Sequence, residues 1–72
     1  MRNIKLENNL SFETQRELVI RLKLAALSEQ EIAKQIHTQP RLISKLSCGR
    51  EVELTKTSQY DLVRLYLITC KN

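Results

Sequence analysis

Leu27-Ser-Glu-Gln-Glu-Ile-Ala-Lys-Gln-Ile-His-Thr-Gln-Pro-Arg-Leu-Ile-Ser-Lys-Leu-Ser-Cys-Gly-Arg50 is the stretch that decides the fold of this 72-residue chain. It opens with the pattern of a capping box. The Ser28 hydroxyl can accept from the Glu31 amide while the Glu31 carboxylate reaches back to the amide of Ser28. Leu27 and Ile32 flank the box at staple positions, and Glu29 and Glu31 stand where the helix dipole favours anions. Ile32, Ala33 and Ile36 then mark one buried face of a short helix. His37 and Thr38 interrupt it. Pro40 cannot continue a helix but suits the first turn of a new one. Ile43 and Leu46 give that second helix its inner face, with Leu42 to one side, and Gly49 after Cys48 is a left-handed stop. The spacing thus predicts two short helices joined by a brief turn, the second at about 39–48. Ala33, where they cross, is small enough to let them approach closely.

Gln39, Pro40, Arg41, Ser44 and Lys45 are expected to point away from this core. The interval 34–50 holds the basic residues Lys34, Arg41, Lys45 and Arg50 and no acid, while Glu29, Glu31, Glu51 and Glu53 lie just outside. The chain as a whole carries 12 Lys and Arg against 8 Asp and Glu, a formal net charge of +4 and a pI of about 9.4. That excess alone is common among domains charged for solubility. Its concentration on one interval favours an anionic partner there.

The 27–50 block resembles the λ repressor and Cro (Xre-type) family of helix-turn-helix regulators. The residues that carry the likeness are Leu27-Ser28, Glu31-Ile32-Ala33, Ile36, Ile43-Ser44-Lys45-Leu46 and Gly49-Arg50, at the family's spacing. Two departures stand out. The family's turn usually has glycine followed by a buried aliphatic residue, where this chain has His37 and Thr38, so His37 has to accept a left-handed or adjusted backbone. Gln39 occupies a cap position where Ser or Thr is commoner. The resemblance implies a sequence-specific DNA-binding regulator, a phage- or plasmid-type repressor acting by operator occupancy. Its second helix enters the major groove of double-stranded DNA with its N-terminal residues on base edges. Arg41 suits a bidentate contact with guanine and Gln39 one with adenine. Ser44 and Lys45 suit base or phosphate, and Arg50 and Lys34 the flanking backbone. One such helix reads few bases, so a homodimer on a pseudo-palindromic site is expected. The competing reading keeps the fold but binds another protein, as an antirepressor or inhibitor.

The flanks are less decisive. Leu18, Val19, Leu22, Ala25 and Ala26 recur at helical spacing and predict a first helix over about 12–26, capped by Ser11 or by Thr14. Ser58-Gln59-Tyr60-Asp61 repeats the capping pattern ahead of Leu62, Val63, Leu65, Tyr66 and Leu67, which predicts a fourth helix with an apolar face wide enough to serve a dimer. The expected fold is therefore mainly α, a single four-helix domain. The alternative is a Cro-like α+β variant in which the N-terminal and 51–56 segments form a short β ribbon and the C-terminal run is a strand. Segment 1–10, with alternating Ile4 and Leu6, reads as an arm or a short strand. Lone Cys48 and Cys70 lack C-x-x-C spacing and read as reduced packing residues, and with His37 the only histidine there is no metal-ligand set. Nothing in the chain provides a catalytic constellation or a Gly-rich loop, so the expectation is a non-enzyme with no cofactor, metal or small-molecule substrate. With no apolar run of signal or membrane-spanning length, it is also expected to be cytoplasmic.

Overall fold

The computed structural model describes residues 10–70, which form α1 (Phe12–Leu24), α2 (Glu29–Gln35), α3 (Pro40–Ser47) and α4 (Lys56–Cys70). No strand occurs among the described residues. The mainly α reading therefore holds, and 51–55 joins no ribbon. Segment 1–9, where the other half of that ribbon was expected, lies outside the described residues. The 58–70 run is helical throughout.

Ser11 is the cap of α1, its hydroxyl accepting from the Thr14 amide at 3.1 Å. Ser28 and Glu31 complete the capping box of α2 in both directions. Pro40 occupies the first turn of α3, and Gln39 precedes it without a side-chain cap. The fourth helix starts earlier than the sequence suggests. Thr55, not Ser58, caps it: its hydroxyl accepts from the Ser58 amide at 3.1 Å and its carbonyl from the Gln59 amide at 2.9 Å. Ser58 is instead buried and donates to the carbonyl of Ile36 at 2.9 Å. That carbonyl belongs to the end of α2, where the helix offers it no partner.

The first three helices end in the same way. After α1, Ala26 has φ +78, with its amide bonded to the Lys23 carbonyl and that of Leu27 to the Leu22 carbonyl. After α2, His37 has φ +61, with its amide on Lys34 and that of Thr38 on Ala33. After α3, Gly49 has φ +90, with its amide on Leu46 and that of Arg50 on Lys45. Each is a Schellman closure, and only the last uses glycine. The first closure corrects the expected extent of α1. It stops at Leu24, and Ala25 and Ala26 are exposed in the turn instead of lining the buried face.

The core is aliphatic. Val19 and Leu22 of α1, Ile32 and Ala33 of α2, Ile36, Ile43 and Leu46 of α3, and Leu62 of α4 are buried together with Val52 and Leu54. Each large member is worth about 1.5–3 kcal/mol when fully buried. The linker 51–55 contributes through alternation: Val52 and Leu54 point inward, Glu51, Glu53 and Thr55 outward. Two buried glutamines hold the ends of the linker and of α1 together. Gln59 accepts from the Leu10 amide at 2.8 Å and donates to the Leu54 carbonyl at 2.9 Å, and Gln15 donates to the Leu10 carbonyl at 2.8 Å.

Candidate nucleic-acid interface

The inner face of α3 is fixed by Ile43 and Leu46, both fully buried. At 100° per residue this forces Arg41, Ser44, Lys45 and Cys48 onto the opposite side. Gln39, Pro40, Arg41 and Lys45 are exposed there and Ser44 is half-buried, its carbonyl accepting from the Ser47 hydroxyl at 2.9 Å. So the expected outward set is brought together on one face. Lys34 and Arg50 are exposed too but do not share it. Lys34 belongs to the last turn of α2 and Arg50 follows the far end of α3, so they flank the helix along the chain.

Gln39 and Arg41 are a unit. The Arg41 Nε donates to the Gln39 Oε1 at 3.0 Å, which leaves the outer guanidinium nitrogens and the Gln39 amide nitrogen free to project. The turn that aims them is tied to α4. Ser58 holds the Ile36 carbonyl, and the His37 Nδ1 lies 3.6 Å from the Asp61 Oδ2, an ion pair only when the imidazole is protonated.

Arg21 pairs with Glu17 and Lys23 with Glu29, each at 2.8 Å, whereas Arg16 and Arg64 form no ion pair among the described residues. The bond and charge of Glu17 raise the Arg21 pKa above its ordinary value. Lys34, Arg41, Lys45 and Arg50 form no ion pair among the described residues. None of the four is tied up by a carboxylate, although Arg50 shares a cleft with Glu13 and Glu51, so Lys34, Arg41 and Lys45 are the cations most available to an anion.

Two residues that the sequence reading did not place at the site join it in three dimensions. Cys48, expected as a packing residue, is exposed on the outer face of α3, whereas Cys70 is half-buried against the core with its thiol 3.8 Å from the Arg21 carbonyl. Arg16 of α1 reaches the end of α3, its Nη1 lying 3.7 Å from where a side chain at Gly49 would begin. The position of Cys48 follows from the same helical spacing as Arg41 and Ser44. Nothing local in the sequence signals Arg16, because the contact joins residues 33 apart.

No protein-family model, curated protein or solved structure matches the chain at a significant level. No helix among the described residues is long and apolar enough to cross a membrane.

Proposed function

We propose that α2, its turn and α3 act as a helix-turn-helix and that the protein is a sequence-specific binder of double-stranded DNA, repressing transcription by occupying an operator. The observation that carries this reading is the set of unpaired cations on and around one exposed helix face. The opposite face of that helix is fully buried, so the set is rigidly mounted. An α-helix fits the major groove, and groups on a rigid element are held in register with base edges. Arg41, with Gln39 bonded to its Nε, is the base-reading group. Ser44 and Lys45 lie one turn further along. Lys34 and Arg50 contact the phosphates to either side, and the functional unit is a homodimer on a two-fold site.

The test is selection of bound sequences from random duplexes at near-physiological salt, with wild type and Arg41→Ala in parallel. A two-fold motif should emerge, relaxed at one position per half-site in the variant, with a loss of about 1–3 kcal/mol on the wild-type site. Absence of any enrichment would reject sequence-specific binding. The alternative is a protein-interaction module, and one observation favours it: Leu24 is 82% exposed beside Ile20 and Cys48, an apolar surface at the edge of α3. Under that reading Leu24→Glu abolishes partner binding and Arg41→Ala leaves it intact.

A further inference from the structure

We infer that Arg16, a residue of α1, is a contact to a DNA backbone phosphate at the C-terminal end of α3; this rests on the DNA-binding reading above and adds to it a second element that grips the duplex. Three observations lead there. The first is proximity: the guanidinium of Arg16 stands beside Gly49, the residue that closes α3, and lines one cleft with Arg50. It is therefore next to the end of the helix that would lie along the groove.

The second is contrast within α1. Its other described cations, Arg21 and Lys23, are each neutralised by a carboxylate at 2.8 Å. Arg16 forms no ion pair among the described residues, although Glu13 and Glu51 line the same cleft. Lys23 also stands beside the end of α3, near Ser47 and Cys48, but is held by Glu29, so Arg16 is the α1 cation left unpaired there.

The third is a reason for its position without nucleic acid. The carbonyl end of a helix is the negative end of its dipole, which favours a cation within the last turn. The end of α3 thus attracts the Arg16 guanidinium, while the amides of Gly49 and Arg50 are already committed to Leu46 and Lys45. The donors left for a phosphate at this point are side-chain guanidinium groups, whose fork matches two phosphate oxygens. With Glu13 and Glu51 nearby the cleft has no net charge, and the negative end of α3 opposes a lone anion, so it takes a phosphate only as part of a polyanion already drawn to α3. Free inorganic phosphate is not its ligand.

The experiment is a salt series of fluorescence anisotropy on the full chain with a duplex carrying the selected site, using wild type, Arg16→Gln, Arg16→Lys and Arg21→Gln. Removing one phosphate contact lowers the slope of log K against log salt by about 0.9 per protomer, which corresponds to about a fivefold loss at physiological salt. Arg16→Gln should show that loss equally on selected and random duplexes, Arg16→Lys, which keeps the charge but not the fork, should keep the wild-type slope while recovering only part of the affinity, and Arg21→Gln should match wild type. Circular dichroism melts of the same variants check that each is folded. Wild-type binding with an unchanged slope in folded Arg16→Gln overturns the phosphate contact and leaves the DNA reading standing. A slope lowered equally in the Gln and Lys variants means that the charge of Arg16 is not what acts and also overturns it. A wild type that binds no duplex rejects both.

Discussion

Three positions carry the left-handed backbone that ends a helix, and they are chemically unequal. Gly49 adopts φ +90 without strain, whereas Ala26 at +78 and His37 at +61 hold a Cβ against the following carbonyl oxygen. Ala26→Gly should therefore raise stability by about 1 kcal/mol in urea denaturation. His37→Gly should gain less, because it removes an imidazole that lies 3.6 Å from Asp61. The imidazole side of the pair is 76% exposed, so the contact contributes little and the sign stays positive. Gly49→Ala should lose about 1 kcal/mol, and the cause is the backbone alone. The added Cβ would meet the Arg16 Nη1 at 3.7 Å, an ordinary contact. Wild-type stability in Gly49→Ala would mean that α3 can close in some other way. The turn residue His37 was legible as a departure from glycine, since a Schellman closure demands that conformation of whatever residue stands there. Ala26 was not legible. Alanine favours helix so strongly that its spacing with Leu18 and Leu22 reads as a continuation. The tertiary fold overrides it by sending Leu27 back to pack on the core.

At the scale of elements, the sequence announces helices whose signals are local. The capping box at Ser28 and Glu31, Pro40 at the start of α3 and Gly49 at its end all act within four residues, and each is found where it is read. The start of α4 is different because several of its residues can cap. Thr55 and Ser58 are both capping types, and the choice is made by partners remote in sequence. Ser58 is engaged by Ile36, 22 residues away, and Gln59 by Leu10, 49 away. The same logic separates the reading face from Arg16: helical periodicity exposes Arg41 and Lys45, but only the packing of α1 on α3 brings Arg16 near Gly49. Gln59 is the residue on which this remote order depends most. Its amide satisfies the Leu10 N–H and the Leu54 C=O from within the core, where it is 2% exposed. Gln59→Ala should leave both backbone groups unpaired and open a cavity, lowering stability by about 2–4 kcal/mol. Gln59→Leu fills the volume but satisfies neither group, so it should recover only part of the loss. Equal stability of wild type and Gln59→Leu by chemical denaturation would show that the amide contributes packing and not hydrogen bonding.

At the scale of the molecule, the question is how so small a surface could recognise a specific site. α3 spans about 12 Å, little more than two helical turns, and under the proposed DNA reading would offer only Gln39, Arg41, Ser44 and Lys45 to base edges. Doubling that set by two-fold symmetry is the economical route to specificity, and a domain of this size also gains stability from a partner. Two apolar surfaces compete for the role of dimer contact. One is the outer face of α4, where Tyr60, Leu67 and Ile68 are 43%, 38% and 63% exposed at spacings that share a side of the helix. The other is the surface around Leu24. The α4 face is the broader, spanning two helical turns, with Arg64 at its centre able to lay its aliphatic stem along the apolar surface. In sedimentation experiments the wild type should associate with increasing concentration. The double variant Leu67→Glu, Ile68→Glu should remain monomeric with its helix content intact, because both side chains already face solvent in the monomer. On DNA it should bind one half-site at a time, with the steepness of the wild-type binding curve lost. If Leu24→Glu blocks association and the α4 variant does not, the contact moves to the α1–α3 edge. The two recognition helices would then be related by a different axis, which the spacing of half-sites in the selected sequences would register directly.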